Sequence, residues 1–408
     1  MKVALVSNSP WAGSGYGVQA AHLLPRLLAR YGKDSTACLS LYGLTGGPLK
    51  IDGIQHYPCS GYTPYSDEIL PSHARHWLNG EPGMVLVLFD VWIFQNPDWA
   101  TLPLLAAWTP IDHVPPPPAV VEFFRRTSAV PIAMSKFGRD WLAKRNLDPL
   151  YVPHGVETQI MCPTPTFKGK ASRSLFGIDE DRYVVGMVSA NKGVYPNRKS
   201  FAESMQAFAM WLDDPGTDRK PLLYIHADPT PNGGFGVDLV KTAEACGLKV
   251  GVDVDFSDPY VHRMPFSTEA MAALYSSFDV LLQPSMGEGF GVPAIEAQAC
   301  GVPVIGSDFT AQPEVIEAGW VVSGDPFFDY VQNAWLVRPR PEGIAQALSL
   351  CAKRSPDEVA EMAGVALTHA AEYDVDRVWS EHWEPALDAL EARVPTREPV
   401  KVAAGWSR

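Results

Sequence analysis

Short apolar runs alternate with amphipathic helical patterns along most of the chain. Residues 3–7, 84–89, 183–188 and 280–283 have the length and composition of buried strands. The other strands that the pattern predicts are 104–108, 130–134, 150–157, 222–226, 252–256 and 302–306. Between them, apolar residues recur at helical spacing, as at 20, 23, 24, 27 and 28. This alternation is typical of parallel α/β layers, so we predict an α/β fold.

The length of 408 residues exceeds what one hydrophobic core usually supports, so we expect two domains. A polar segment rich in Pro and Lys, residues 163–174, follows the first series of strands. We therefore predict an N-terminal domain over residues 1–152 and a second α/β domain over residues 153–377. Helices are predicted at 342–353, 356–371 and 378–392, the last with a possible kink at Pro385.

Composition excludes several classes of protein. Apolar residues make up 46% and charged residues 19%, and no apolar run reaches the length of a membrane span. Residues 1–7 are too short for the apolar core of a signal peptide, so we expect a cytoplasmic protein. The six cysteines lack the paired spacing of metal sites and are expected to be reduced thiols.

The net charge of −13 is distributed unevenly. Residues 1–150 contain 12 Lys and Arg against 11 Asp and Glu, whereas the remainder contains 21 against 35. The first part also carries a local basic group at positions 125, 126, 136, 139, 144 and 145. We interpret this group first as two solvated helix faces, and second as a docking surface for an anionic acceptor or a membrane.

The most informative stretch is residues 285–305, SMGEGFGVPAIEAQACGVPVI. An apolar strand runs into a glycine-rich turn, a helix opens with Pro293 at a favoured early position, and Gly301 ends it. Backbone N–H groups at such a helix start suit a phosphate or diphosphate. Glu296 lies among apolar residues on the predicted helix, where a lone carboxylate needs partners such as the two hydroxyls of a ribose. The turn and its two acids, Glu288 and Glu296, therefore predict a nucleotide-sugar site, although a strand–turn–helix with one capping Glu is the simpler alternative.

This stretch closely resembles the Glu-x7-Glu motif of retaining GT-B glycosyltransferases, a large family that includes glycogen and sucrose synthases and bacterial mannosyltransferases. The resemblance extends more weakly over most of the chain. It implies a GT-B fold, with two Rossmann-like doubly wound domains facing across a cleft, and a last helix, residues 378–393, that crosses back to the N-terminal domain. It also implies a nucleoside-diphosphate sugar as donor, a hydroxyl acceptor and retention of anomeric configuration. In this family pattern Glu288 holds sugar hydroxyls and Glu296 the ribose, while the N–H groups of Gly289, Phe290, Gly291 and Val292 face the diphosphate.

The first loop, residues 13–17, has the sequence Gly-Ser-Gly-Tyr-Gly between the first strand and the first helix. In a doubly wound sheet that position is a ligand edge. The spacing differs from the G-x-G-x-x-G of dinucleotide sites, and a turn with flexible glycines is the plainer interpretation. The resemblance implies that Gly15 and Gly17 face the donor phosphates.

The family usually places an Arg and then a Lys after the first strand of the second domain, where they hold the diphosphate. This sequence departs from that pattern. We place Asn191 at the usual Arg position and Lys199 at the usual Lys position, with Arg198 assisting. The alternative is that Lys192 carries this role.

Two further positions are predicted from the resemblance. His113 is expected to hydrogen-bond a donor hydroxyl, with Asp112 orienting it or meeting the acceptor, although a His in a Pro-rich turn is often only part of a turn. Tyr260 is placed where a base could stack, and a surface aromatic beside Pro259 is the equal alternative.

We expect no metal and no cofactor, because cationic side chains and the helix start already neutralise a diphosphate. The Asp-Val-Asp triplets at 253–255 and 374–376 resemble metal-binding triplets of a different glycosyltransferase fold. We expect the first to lie with both acids on one strand face and the second to act in helix capping.

The sequence leaves the substrates open. A saccharide, a lipid, a protein or a hydroxylated base in phage-type DNA could be the acceptor, and the oligomeric state is not indicated. A sugar-nucleotide 2-epimerase has the same architecture but would not need the Glu-x7-Glu turn, and a non-catalytic binding module would not need the acids and cations together.

Overall fold

The computed structural model describes residues 1–230, 236–260 and 266–394, and the chain forms two compact units. The N-terminal unit contains residues 1–111 and 115–155 together with the described residues from Asp376 on. The C-terminal unit contains residues 112–114 and 156–375. The sequence placed the boundary at 152/153; the units divide at 155/156, and residues 112–114 group with the C-terminal unit.

The N-terminal unit is built on an eight-stranded sheet of order β3-β4-β2-β1-β5-β6-β7-β8. All neighbours pair in parallel except β3 and β4. Its strands are β1 Lys2–Ser7, β2 Thr36–Ser40, β3 Leu49–Ile51, β4 Ile54–Tyr57, β5 Gly83–Leu88, β6 Leu105–Thr109, β7 Val130–Ala133 and β8 Leu150–Tyr151. Its α-helices are α1 Gly15–Tyr31, α2 Leu70–Leu78, α3 Pro118–Thr127 and α4 Lys136–Ala143, with 3-10 turns at Pro64–Ser66, Val91–Ile93 and Pro97–Thr101.

Helix α1 shows why the local sequence folds as predicted. The Ser14 hydroxyl accepts a hydrogen bond from the Gly17 N–H at 3.1 Å and so caps the first turn. Its apolar side chains at 20, 23, 24 and 27 are buried against the sheet, as the helical spacing predicts. Ser135 caps α4 in the same way, as expected.

The C-terminal unit is built on a six-stranded parallel sheet of order β13-β12-β11-β14-β15-β16, with two separate hairpins. Its strands are β9 Thr166–Phe167, β10 Lys170–Ala171, β11 Arg182–Val188, β12 Lys220–His226, β13 Val254–Phe256, β14 Val280–Gln283, β15 Val304–Ser307, β16 Gly319–Val322, β17 Gly324–Asp329 and β18 Ala334–Pro339. Its α-helices are α5 Ser172–Leu175, α6 Phe201–Trp211, α7 Leu239–Ala245, α8 Thr268–Tyr275, α9 Val292–Ala299, α10 Gln312–Val315, α11 Pro341–Ala352 and α12 Pro356–Ala370, followed by a 3-10 turn at Ala371–Tyr373.

Strand alternation divides the side chains of this sheet between two layers. Val280 and Leu282 of β14 join the core that includes Met205 and Phe208 of α6 and Leu348 of α11. Because β14 is in the middle of a parallel sheet, its carboxyl end is at the edge where such folds bind ligands. Eight residues separate that end from the first residue of α9.

The last described elements are α13 Val375–Val378, a π-helical turn Trp379–Trp383 and α14 Glu384–Glu391. The sequence predicted one continuous helix with a kink at Pro385. Pro385 has no N–H to bond to the preceding turn, and the widened turn immediately before it is consistent with that loss. Trp383 and Leu387 are buried, and the Trp383 ring contacts Trp108 at 4.9 Å between centroids.

The first Asp-Val-Asp triplet differs from its expected placement. Strand β13 begins at Val254, so Asp253 lies before the strand, where its carboxylate accepts the Lys249 N–H at 2.9 Å. The expected pairing of Asp253 and Asp255 on one strand face is therefore wrong.

Across the described part of the chain, we find no helix that has both the length and the apolar character needed to cross a bilayer.

Candidate functional site

The glycine-rich turn between β14 and α9 brings the backbone close to a neighbouring segment. A Cβ on Gly287 would stand 2.2 Å from the Asp112 carbonyl oxygen, so no larger residue fits there. Gly291, at φ +100°, precedes the first residue of α9 in a conformation that favours glycine. The N–H groups of the first turn of a helix lack intrahelical partners, so the start of α9 offers donors to an anion.

The Glu288 carboxylate lies within this turn and contacts two cations from the segment before α6. Lys199 Nζ donates to Oε1 at 2.5 Å, and Arg198 Nη1 donates to Oε2 at 3.1 Å. The Arg198 guanidinium also donates to the Gly287 carbonyl, and the Arg198 carbonyl accepts the Met286 N–H at 2.8 Å. The turn and both cations are therefore one hydrogen-bonded assembly.

Burial and neighbouring charges have opposite effects on the pKa values of Glu288 and Lys199. Glu288 is 6% exposed. Burial alone would raise the pKa of Glu288, but the charges of Lys199 and Arg198 outweigh it and lower the pKa from 4.5 to about 2. Burial lowers the pKa of Lys199, an effect that the Glu288 charge opposes. Glu288 is thus ionised at any neutral pH and serves as the counterion of two cations.

The Asp112–His113 pair continues the cluster. Asp112 Oδ2 lies 3.7 Å from Arg198 Nε, and its other oxygen contacts His113 Nδ1 at 2.7 Å. His113 Nε2 in turn lies 3.3 Å from Asp329 Oδ2. Three carboxylates and three basic groups therefore alternate along one path. We call this set of residues the ion chain: Asp329, His113, Asp112, Arg198, Glu288 and Lys199.

The ion chain also sets the protonation of its members. Burial would raise the pKa of Asp112, but the hydrogen bond and charge of His113 outweigh it and lower the pKa from 3.8 to about 2. Burial would lower the pKa of His113, yet Asp112 and Asp329 outweigh it and raise that pKa. The arrangement favours the imidazolium form of His113.

Glu296 is on the second turn of α9 and has a different environment. Its Oε2 accepts a hydrogen bond from the Tyr275 hydroxyl at 2.6 Å, and its Oε1 accepts none from the residues that the structure describes. Burial raises the pKa of Glu296, and the bond from Tyr275 partly opposes that effect. The carboxylate is held on one side by Tyr275 and has acceptor capacity left on the other.

Comparison with known proteins shows what this part of the chain is similar to. The family "Glycosyl transferases group 1" matches residues 244–353, which include the turn and both acids. A D-inositol 3-phosphate glycosyltransferase of Actinosynnema mirum is 28% identical over 229 residues, covering 56% of this chain and 49% of the relative. The chain thus spans about half the length of the curated relatives it matches.

Solved structures match over nearly the whole chain. Sucrose-phosphate synthase from Thermosynechococcus elongatus superposes with a TM-score of 0.72 at 16% identity, covering 96% of this chain and 100% of that one. A protein of Anabaena solved in complex with UDP superposes with a TM-score of 0.62 at 15% identity, covering 95% and 100%. The predicted resemblance to group 1 glycosyltransferases is confirmed. The fold is the GT-B fold, as predicted.

Against the group 1 pattern, the structure brings Lys199, Arg198, Glu288, Asp112 and His113 together by direct contacts. Asn191 contributes differently. Its amide group donates to the carbonyls of Asp228 and Val237 at 2.8 and 2.7 Å and accepts the Val237 N–H at 3.0 Å. These bonds hold together two loops of the C-terminal unit. A ligand role for Asn191 stays a prediction.

The other predicted donor residues lie on the turn or at the surface. Gly289, Gly291 and Val292 lie at the start of α9, and the Phe290 ring is buried against Tyr373 with centroids 5.5 Å apart. Lys192 is exposed, and Tyr260 is 71% exposed, next to residues outside the described range. Base stacking by Tyr260 stays a prediction.

In the N-terminal unit, Gly15 and Gly17 open α1. A Cβ on Gly17 would stand 2.2 Å from the Ala12 carbonyl oxygen, so close packing of the loop requires glycine there, whereas Gly15 has open space around it. The role of both glycines toward donor phosphates stays a prediction.

The predicted basic group of this unit is partly engaged. Arg126 donates to the carbonyls of Phe94 and Asn96, and Arg139 Nε donates to Asp140 at 2.8 Å.

Three residues at the site were not predicted from the sequence. Tyr275 and Asp329 are described above, and the Thr310 hydroxyl accepts the Glu288 N–H at 2.9 Å. Asp329 carries a local signal, since its Oδ1 accepts the Val331 N–H as turn-forming Asp residues do. Its partner His113 is 216 residues away, and no local pattern indicates that contact.

Proposed function

We propose that the protein is a retaining glycosyltransferase that moves a hexose-type sugar from a nucleoside-diphosphate sugar to a hydroxyl acceptor. The observation that carries the proposal is the contact of Lys199 and Arg198 with Glu288 at the start of α9. It places two cations beside helix N–H groups and an ionised carboxylate, the combination that a diphosphate-linked sugar needs. The UDP bound to the Anabaena relative supports a nucleotide donor.

The cations and the helix start would bind the donor phosphates. Negative charge grows on the departing diphosphate during glycosyl transfer, and groups fixed beforehand stabilise that charge most effectively. Lys199, Arg198 and the N–H groups of residues 289–292 would contact these oxygens. Because the two cations already share Glu288, the phosphates would enter as an additional partner of an assembled cluster.

The two acids would hold the other parts of the donor. Glu288 would accept hydrogen bonds from sugar hydroxyls once the phosphates share its cations. Glu296, with one oxygen occupied by Tyr275, would accept a ribose hydroxyl at Oε1. No residue is assigned as a covalent nucleophile. We propose attack on the same face of the sugar, with the acceptor proton passing to the donor phosphate, and no metal ion or other cofactor is assigned.

A sugar-nucleotide 2-epimerase of GT-B architecture is the alternative. It would use a similar phosphate site, but its product would be the epimerised donor rather than free nucleoside diphosphate. The acceptor stays open between a saccharide, a lipid, a protein and a hydroxylated DNA base. The bonds of Arg126 and Arg139 within their own unit weaken the case for the basic group as an anionic docking surface.

The test combines donor screening with product analysis. Nucleoside diphosphates and their sugars are first screened by thermal shift, and candidate acceptors are then assayed by mass spectrometry with the donor that stabilises most. We expect free nucleoside diphosphate and a mass gain of one hexose on an acceptor. NMR of the product should show that the anomeric configuration of the donor is retained. An epimerised donor without transfer would establish the alternative, and binding of no nucleotide would refute both.

A further inference from the structure

The hairpin of β17 and β18 lies outside the six-stranded sheet and contacts two parts of the site. Val114 and Trp335 exchange backbone hydrogen bonds at 3.0 and 2.9 Å, which joins the hairpin to the segment that carries Asp112 and His113. The Val337 N–H donates to the Met286 carbonyl at 3.0 Å, which joins it to the glycine-rich turn. The hairpin is therefore placed to influence both.

Asp329, the last residue of β17, is the hairpin residue that belongs to the ion chain. It is 7% exposed. Its Oδ1 accepts the Val331 N–H at 2.8 Å, which fixes the carboxylate on its own turn and leaves Oδ2 directed at His113 Nε2. A buried carboxylate with one oxygen fixed in this way has little freedom to leave its partner.

Both ring nitrogens of His113 are consequently in contact with carboxylates. Only the imidazolium form has two N–H donors, so this geometry matches protonated His113. The charged groups that face it are Asp112 on its own segment and Asp329 from the hairpin, with Arg198 beyond Asp112. Asp112 is then held between His113 on one oxygen and Arg198 on the other.

We propose that Asp329 is a positioning residue for the donor site: through His113 it fixes Asp112, and through Asp112 it fixes the guanidinium of Arg198. This inference rests on the proposed function, because it takes Arg198 as a ligand of the donor diphosphate. Without Asp329, His113 loses its proton more readily. Asp112 then lacks one of its two cationic partners and competes more strongly for Arg198.

The plain alternative is that Asp329 only ties the hairpin to its neighbours. Asp325, on the same strand, provides the matched control: it is exposed and pairs with Arg340 Nη2 at 2.5 Å, away from His113. Asp329→Asn and Asp325→Asn remove the same charge from the same strand and keep the side-chain size. A purely structural role predicts lower thermal stability of the Asp329 variant with no change in the pH profile of the reaction.

The first measurement needs no substrate. The protein with histidine labelled by ¹³C is titrated by NMR, and the His113 signal is identified by its loss in His113→Asn. Removal of one of two opposite charges lowers the pKa of a histidine, and we expect the His113 midpoint to fall by about one pH unit in Asp329→Asn. We expect no change in Asp325→Asn, and an unchanged midpoint in Asp329→Asn would overturn the proposal.

The second measurement is the pH profile of kcat/KM with the donor found by screening. We expect the alkaline limb of Asp329→Asn to move to lower pH by about the same interval, with kcat reduced about tenfold at pH 8. The Asp329→Asn enzyme could keep the pH profile of the wild type although its His113 midpoint has shifted. That result would confirm the contact between Asp329 and His113 but would overturn the positioning role. If the wild type binds nucleoside diphosphate but transfers no sugar, the dissociation constant of the diphosphate is measured against pH in place of kcat/KM. Failure of the proposed transfer reaction can then be distinguished from failure of the positioning role. A wild type that binds no nucleotide would overturn the inference together with the function.

Discussion

Replacement of Glu288 by Gln removes the shared counterion of Lys199 and Arg198 and keeps the size of the side chain. Glu288 is buried, and the fall of its pKa from 4.5 to about 2 corresponds to about 3 kcal/mol. A Gln oxygen still accepts a hydrogen bond. We therefore expect the free energy of unfolding of the C-terminal unit to fall by about 2–3 kcal/mol, and its Tm by roughly 5–10 °C.

The sign of the pH dependence follows from the lowered pKa. A carboxylate with a lowered folded pKa contributes stability above its unfolded value, and that contribution is lost as the pH falls through the folded value. The difference between wild type and Glu288→Gln should therefore be complete at pH 7 and should shrink below about pH 4.5. Urea unfolding of the wild type and of Glu288→Gln at pH 7 and at pH 4 measures the stability difference at each pH.

Ligand binding provides the second part of this prediction. A nucleoside diphosphate brings negative charge to the two cations that Glu288→Gln leaves without their counterion. The thermal shift produced by the diphosphate should consequently be larger in the variant than in the wild type. The extra affinity of the nucleoside-diphosphate sugar over the diphosphate alone should instead fall, because the neutral amide has one acceptor oxygen where the carboxylate has two.

Glu203→Gln is the control for this experiment. Glu203 contacts Arg338 Nε at 3.4 Å, and that arginine side chain is 46% exposed, so loss of the pair should cost less than about 1 kcal/mol. If Glu288→Gln melts within about 1–2 °C of the wild type, its ion pairs contribute far less than their burial implies. If the variant loses affinity equally for the diphosphate and for its sugar, Glu288 does not contact the sugar.

Three further predictions concern other parts of the site. Tyr275→Phe removes the 2.6 Å bond to Glu296 and should weaken nucleoside diphosphate binding about tenfold by calorimetry, with little change in Tm; unchanged affinity would separate Glu296 from the ribose. Gln283 is 2% exposed and neither amide atom has a hydrogen-bond partner among the described residues, so Gln283→Met should raise stability by about 1 kcal/mol, and a lower Tm would show that the amide is satisfied. Turnover after dialysis against EDTA should match that of untreated enzyme, and activity restored by Mg²⁺ or Mn²⁺ would contradict the assignment of diphosphate charge to Lys199 and Arg198.

The fold was predictable because its signals are local. Most strands of the two sheets are short apolar runs and were predicted, whereas β2, β3, β4 and β16 were missed, and β3 is exposed throughout. The capped helices α1 and α4 carry their signals within a few residues, as Ser14 and Ser135 show. The turn from residue 284 to α9 was predictable for the same reason, since its glycines, its acids and the helix start lie within one stretch. The ends of strands were less predictable, since β13 begins two residues later than predicted.

The ion chain was only half predictable. Arg198, Lys199 and Glu288 were assigned by resemblance, and their direct contact depends on the parallel pairing of β11 with β14, which brings the ends of both strands to one edge. Asp329 and Tyr275 were missed because their partners are set by the path of the chain in space. Neither a turn-forming Asp nor a tyrosine at the end of a helix indicates which distant group it will contact.

The alternation of charge along the ion chain also explains how one carboxylate can serve two ligand states. In the free protein, Glu288 compensates two partly buried cations, which would be costly to place there alone. On the proposed function, a diphosphate that shared those cations would leave Glu288 with unused acceptor capacity, and hydroxyls of the attached sugar would supply donors to it. Phosphate and sugar would then bind cooperatively, because each would make the interaction of the other more favourable. A diphosphate without its sugar would draw the cations away and leave Glu288 buried with too few partners. On this argument the site favours the intact donor over the nucleoside diphosphate product, which would aid product release after transfer.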